Sequence, residues 1–336
     1  MTTTQDPHSP PKRRALICGV TGQDGAYLAR LLLDKGYEVT GTSRDATGAN
    51  LAGLEALGIR LQVRVMSMAP NDFRSVLQTI TKCAPDEVYN LAGQSSVGLS
   101  FEQPVEAIES IALGTLNLLE AIRFVERPVR FYNAGSSECF GDTGTAHATE
   151  ATAFRPRSPY AVAKACAHNL VANYREAYRM HACSGILFNH ESPLRPERFV
   201  TQKIVRAACR IAAGADEKLS LGNLDIHRDW GWAPEYVDAM WRMLQQDDPA
   251  DLVIATGRSV SLEYFVSVAF GFFNLDWRRH VQQDRSLLRP SDIKYGAADP
   301  ALAAQRLGWK ATMDVDGVVR EMCRVASAEV RRTTAA

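Results

Sequence analysis

The sequence predicts an α/β fold in which a doubly wound parallel sheet is followed by a smaller C-terminal α/β domain. Three observations carry this expectation. Strand-like apolar runs alternate with helical patterns through the first half of the chain, the signature of a parallel sheet with crossover helices. Spaced glycines, in Gly19-Val20-Thr21-Gly22-Gln23-Asp24-Gly25, stand between the first strand and the first helix. After about residue 190 the alternation gives way to prolines, charges and short segments. The expected division is a leader over residues 1–12, a Rossmann-like nucleotide-binding domain over 13–190, and a mainly substrate-binding domain over 191–330 that returns some segments to the first.

Each element has its own reason. Residues 14–19 form a continuous apolar run suited to a buried central strand. A helix over 26–35 places Leu28, Leu31 and Leu32 on one face, and Gly36 ends it. Strands are expected over 38–42 and 61–66, a helix over 72–83, a strand over 87–92 and a long helix over 105–125. The strand over 129–134 runs into a turn at Ser136-Ser137-Glu138. A helix over 158–179 opens with Pro159, which suits a first helical position, and a strand follows over 183–188. Further on, helices are expected over 200–213 and 315–325.

Composition excludes several classes of function. Lys+Arg and Asp+Glu each number 38, so the formal charge is zero and neither nucleic acid nor an anionic membrane is an expected partner. The 7 cysteines are scattered without a CxxC, which fits reduced thiols and a cytoplasmic protein. The 7 histidines show no metal-ligand spacing, so no metal is expected. Met1 to Pro11 is polar and proline-rich, without the apolar stretch of a signal peptide. No apolar run approaches the roughly 20 residues of a membrane span.

The chemistry is concentrated in a few stretches. Gly19, Gly22 and Gly25 leave a buried strand and open a helix, the context in which such glycines admit a dinucleotide pyrophosphate. Arg44 and Asp45 end the second strand, about 20 residues on, where an acid binds the ribose of NAD and an arginine pairs with the 2′-phosphate of NADP. Arg44 favours NADP. Leu91-Ala92-Gly93-Gln94-Ser95 supplies small residues that let the chain pass near a cofactor. Tyr160 and Lys164 are four apart on a helix and share a face. A free phenol has a pKa of about 10, and a cation beside it favours the phenolate. The pair reads as a base for a sugar hydroxyl. Glu138 adds a second acid/base group, for which simple alcohol oxidation has no use.

Together these residues resemble the extended short-chain dehydrogenase/reductase superfamily and, within it, the GDP-mannose 4,6-dehydratase family. The resemblance covers nearly everything from Arg14 to Val325. Besides the stretches above, it rests on Asn173-Tyr174-Arg175-Glu176, on 185–193 with His190-Glu191-Ser192-Pro193, on Phe199-Val200-Thr201, on Arg228-Asp229-Trp230-Gly231 and on Leu307-Gly308-Trp309-Lys310. It implies GDP-mannose as substrate, NADP as cofactor and a homodimer or homotetramer. The implied reaction is C4 oxidation, loss of water across C5 and C6, and reduction at C6 by the same cofactor. Ser136, Glu138, Tyr160 and Lys164 fall on its catalytic positions, Ser136 standing where most members have threonine. Cofactor positions fall on Gly19, Thr21, Gly22, Gln23, Asp24, Gly25, Arg44, Leu91, Ala92, Gly93, Ser95, His190 and Arg195, with Tyr160 and Lys164. Positions near the sugar nucleotide fall on Ser95, Ser136, Asn189, Val200, Lys203, Leu221, Gly222, Arg228, Arg289 and Asp292.

Besides Ser136, the chain departs from that pattern at four places. Asp292 replaces the usual glutamate. Ser67-Met68-Ala69 stands where an acid near the adenine is expected, and the loop after Arg44 lacks an Arg-Arg-Ser-Ser run. Glu106 occupies a position often filled by tyrosine. The nearest rival is a reductase acting on the same keto-sugar to give GDP-rhamnose. Gln23-Asp24, His190-Glu191-Ser192-Pro193 and Arg228-Asp229-Trp230 favour the dehydratase over it. A 4-epimerase has no use for Glu138, and a non-catalytic dinucleotide-binding protein has none for the complete Ser136, Glu138, Tyr160 and Lys164 set.

Overall fold

A computed structural model of the chain describes residues 12–335, so all of the expected leader except Lys12 lies outside the described residues. The chain opens with β1 (Arg14–Cys18), α1 (Gln23–Asp34) and β2 (Glu38–Ser43), followed by α2 (Ala52–Ala56), β3 (Arg64–Ser67), α3 (Phe73–Cys83) and β4 (Glu87–Asn90). Helices α4 (Val97–Glu102), α5 (Pro104–Ile108) and α6 (Gly114–Phe124) lead to β5 (Arg130–Ala134), then α7 (Pro159–Tyr178) and β6 (Ala182–Leu187). The remaining elements are β7 (Asn189–Glu191), α8 (Val200–Ala212), β8 (Leu219–Leu221), β9 (His227–Trp232), α9 (Ala233–Gln245), β10 (Leu252–Ile254), β11 (Ser259–Ser261), α10 (Leu262–Phe272), β12 (Val281–Gln283), α11 (Ala301–Leu307) and α12 (Val315–Ala335).

Seven strands form one parallel sheet in the order β10-β6-β5-β4-β1-β2-β3. The alternation of side chains along β1 explains its continuous apolar sequence. Ala15 and Ile17 join a core with α1, α9 and α11, while Leu16 and Cys18 join a core with α3, α6 and α7. Both faces are covered, so neither needs polar residues. Full burial of Leu16 and Ile17 contributes about 1.5–3 kcal/mol each. A separate core is built from α8, α10 and α12 with β8 and β9. Two small sheets, β11-β9-β7 and β12-β8, complete the topology.

Three elements differ from expectation. Leu61, expected in the third strand, is 97% exposed, and the strand begins at Arg64, where pairing with Thr40 sets its register. The long helix expected over 105–125 contains a π-helical turn at Glu109–Leu113 between α5 and α6. Ser110 in this turn bonds both ways: its hydroxyl donates to the Glu106 carbonyl at 2.6 Å and accepts the Gln94 N–H at 3.1 Å. The last helix runs on to Ala335, past the expected end at Val325.

The β1–α1 turn is packed backbone on backbone. A Cβ at Gly25 would collide with the Gly19 carbonyl oxygen and lie 2.6 Å from Val20 Cα. Neither neighbour is a flexible side chain that can give way. Gly25→Ala is expected to cost about 1–3 kcal/mol, read as a lowered midpoint in chemical denaturation of the ligand-free protein.

Candidate active site

The sheet order reverses between β1 and β4, and in open α/β sheets ligands bind where the strands' C-terminal ends diverge. A cavity of about 420 Å³ opens there, lined by Asp24 after β1, Leu91 and Ser95 after β4, Ala134 and Ser136 at the end of β5, and Leu187 at the end of β6. The glycine turn lies alongside. Gly22 caps α1 without a side-chain hydrogen bond, leaving the first-turn N–H groups to an anion. A Cβ at Gly19 (φ +86°) would press on the Leu91 carbonyl oxygen at 3.0 Å. These features fit the pyrophosphate of a dinucleotide, with Gly19, Thr21, Gly22, Gln23 and Gly25 in the turn and Ala92 and Gly93 on the facing loop. Arg44 lies apart from this cavity, exposed and paired with Glu106 at 3.1 Å.

Local sequence positions the catalytic candidates. Ser158 caps α7 by accepting the Ala161 N–H at 3.1 Å, and Pro159 follows, so Tyr160 falls in the first turn. Lys164 donates from Nζ to the Ala134 carbonyl at 2.7 Å, fastening α7 to the end of β5, with Nζ 5.8 Å from the Tyr160 ring centre. Ser136 caps the 3-10 turn Ser137–Phe140, its hydroxyl accepting the Glu138 N–H at 3.3 Å.

Burial dominates the electrostatics. It pushes the Tyr160 phenol above its ordinary range, against the Ser136 hydroxyl, and lowers Lys164 to about 8. Burial also raises Glu138 above the usual carboxylate range, although Arg228 and Arg289 pull it down. Arg228 Nε lies 4.0 Å from Glu138, and its other end reaches Asp292 at 3.3 Å.

The small sheet β11-β9-β7 brings distant residues to this wall. Pairing of Asn189 with Trp230 and of His190 with Gly231 lays β7 along β9, the strand that carries Arg228. Asp229 clamps this arrangement, its carboxylate accepting the N–H groups of Thr256, Gly257 and Arg258 at 3.0, 2.7 and 3.1 Å. Val200 and Lys203 enter from α8, where Lys203 donates to the Ser220 carbonyl at 2.8 Å. Leu221 ends β8 and Gly222 follows it, and Arg289 and Asp292 follow β12, its parallel neighbour. Six Lys/Arg and four Asp/Glu line the cavity, an excess of cations in a chain of zero net charge. It suits a diphosphate. Sequence reasoning missed Arg198, Phe199, Asn223, Leu287 and Leu288, which also line it. Arg198, a cation immediately before the Phe199-Val200-Thr201 stretch, is the one with a readable signal.

A buried charge pair joins the two halves. His190 Nδ1 lies 2.7 Å from the Phe188 carbonyl and Nε2 lies 2.9 Å from Asp24. Both partners are acceptors, which favours the doubly protonated ring. Arg195 Nε lies 3.3 Å from Glu191 but is too poorly aligned to form a hydrogen bond.

The fold and this grouping of Ser136, Tyr160 and Lys164 beside a glycine turn define a short-chain dehydrogenase/reductase of the extended type. Solved structures similar to it include UDP-glucose 4-epimerase of Thermus thermophilus complexed with NAD (TM-score 0.82, 22% identity, 93% of this chain and 98% of that one). Another is RMD from Pseudomonas aeruginosa complexed with NADPH (TM-score 0.76, 20% identity, 95% and 98%). A family model described as GDP-mannose 4,6 dehydratase matches residues 16–322. GDP-mannose 4,6 dehydratase 1 of Arabidopsis thaliana is 44% identical over 93% of this chain and 89% of its own length. The GDP-mannose 4,6-dehydratase of Sinorhizobium fredii (strain HH103) is 43% identical over 96% and 99%. The chain belongs to the GDP-mannose 4,6-dehydratase family.

The Asp24–His190 pair predicts a pH signature. Burial works to lower His190, but Asp24 outweighs it and raises the ring above its ordinary 6.5. Burial works to raise Asp24, but His190 outweighs it and holds the carboxyl below its ordinary 3.8. The histidine's contribution is therefore complete below pH 6.5 and is lost as pH rises through its folded value. The aspartate's is complete above pH 3.8 and is lost as pH falls through its folded value. Melting temperature followed against pH should decline on the alkaline side in the natural chain, and Asp24→Asn should remove that decline.

Proposed function

We propose that this protein converts GDP-mannose to GDP-4-dehydro-6-deoxy-mannose and water, a lyase reaction, with NADP as its cofactor. The observation that carries this reading is Glu138, a buried carboxyl on the same cavity wall as Tyr160, Lys164 and Ser136 and facing a cationic lining. The names of its relatives agree with the substrate, and the complexes with NAD and NADPH among its structural likenesses agree with a nicotinamide dinucleotide.

When bound, the dinucleotide supplies the oxidant for the C4 alcohol and the reductant for C6. Ser136 holds the C4 oxygen, and Tyr160 removes its proton. Lys164 keeps a positive charge near the phenol, which lowers the cost of the phenolate in a buried place. Glu138 takes the C5 proton once C4 is a ketone and returns a proton to the oxygen leaving C6, and C5 regains a solvent-derived proton when C6 is reduced. A carboxyl raised by burial can act in both directions near neutral pH. Lys203, Arg228 and Arg289 hold the diphosphate and so the hexose against the reacting groups. The exposed apolar residues Val105, Ile108 and Leu113 of the α5–α6 region and Val162 of α7 support a homodimer or homotetramer. The free cysteines suit a reducing, cytoplasmic setting.

Incubation with GDP-mannose, without added reductant, should yield a product lighter by one water. Run in heavy water, the product should carry deuterium at C5. Glu138→Gln should slow the reaction by about 10²–10⁴-fold. A chain that leaves GDP-mannose untouched but consumes NADPH with the 4-keto-6-deoxy sugar would be the reductase instead.

A further inference from the structure

We propose that Glu106 tunes cofactor preference by holding Arg44, so that this guanidinium is contested between a carboxylate of the protein and the 2′-phosphate of NADP. The inference rests on the dinucleotide reading of the glycine turn. Arg44 follows β2 directly, at the position where folds of this kind read the adenosine ribose. Its Nη1 donates to Glu106 Oε1 at 3.1 Å.

The neighbouring acid does not take this role. Asp45 accepts the Thr47 N–H at 2.9 Å, and the next residue, Ala46, is tied through its N–H to Ser67 Oγ at 3.0 Å. Asp45 is thus engaged within its own loop.

Glu106 is placed firmly. It lies on α5, where its carbonyl accepts the Ser110 hydroxyl, and that hydroxyl also accepts the Gln94 N–H from the loop after β4. A Cβ at Gly93 in the same loop would lie 2.8 Å from Ile111 Cγ1, so loop and helix are in close contact. The carboxylate is therefore delivered to the ribose end by an element locked to the loop that faces the glycine turn.

Both side chains are exposed, at 79% and 38%, so the pair contributes little to stability and is open to competition. A phosphate monoester carries nearly two negative charges at neutral pH. To bind Arg44 it must share the guanidinium with Glu106 or displace it, and in either case it sits close to the carboxylate, a like-charge contact. NAD has only a 2′-hydroxyl there, which the carboxylate does not repel and from which it can accept a hydrogen bond. Glu106 thus opposes Arg44 and narrows the preference for NADP.

Calorimetric titration of the ligand-free protein with NADP⁺ and NAD⁺ separates the possibilities, using the natural chain, Glu106→Gln and Arg44→Ala. The glutamine is isosteric and sits at an exposed position, so the fold should be untouched. Glu106→Gln should tighten NADP⁺ about three- to tenfold at low salt without tightening NAD⁺, and the gain should shrink at high ionic strength. Arg44→Ala should weaken NADP⁺ alone. If Arg44→Ala weakens NADP⁺ but Glu106→Gln leaves the ratio of the two affinities unchanged, the role of Glu106 is overturned and the cofactor reading stands. If neither variant alters the ratio, both fall.

Discussion

The candidate site depends on one buried charge pair, Asp24 with His190. Asp24 belongs to the turn that would hold the cofactor, and His190 to β7, which pairs with the strand bearing Arg228. The contact joins residues 166 apart in sequence. Gln23 strengthens it by donating to the His190 carbonyl at 3.1 Å and accepting the Ser192 hydroxyl at 2.7 Å. Removing either partner leaves the other without its counter-charge in a largely buried place, which is destabilising. The geometry between the glycine turn and the β7–β9 side of the cavity is therefore held by electrostatics as well as by packing.

Within that frame, burial does two kinds of work. It moves Glu138 up and Lys164 down, bringing acid and base closer to neutral pH than either would be in water. It also gathers cations into one cavity while the chain as a whole stays neutral. Arg228 serves both ends, close to Glu138 on one side and to Asp292 on the other. A single guanidinium thereby links Glu138 to Asp292 across the cavity.

Much of this was legible in the sequence where the signal is local. The β1 run, the glycine turn, the Ser158-Pro159 helix start and the Tyr160/Lys164 spacing each report nearest-neighbour physics, and each falls where expected. What depends on distant pairing was not legible. Strands β7, β8 and β10 to β12 have three residues each, too few for a period of two to show. The seating of Asn189 and His190 against Trp230 and Gly231 is made by β7–β9 pairing, which the sequence of neither strand announces. Helix α9 had a readable pattern in Tyr236, Val237, Met240, Met243 and Leu244, passed over in a stretch that looked irregular. The π turn at Glu109–Leu113 escaped because such turns are rare and short, so one continuous helix was the local expectation.

The route of the chain through the large sheet bears on how it is made. Strand β6 ends at Leu187, yet its outer neighbour, β10, begins only at Leu252. Until the ribosome has delivered that later segment, β6 is an open edge with unpaired backbone groups and an apolar sequence, a template for pairing with another chain. The intervening residues include β7 and α9, so the β7–β9 side of the cavity must be largely synthesised before the sheet can close. A fragment ending near residue 190 would keep the glycine turn and the Tyr160/Lys164 pair but expose this edge, and its hazard would be self-association.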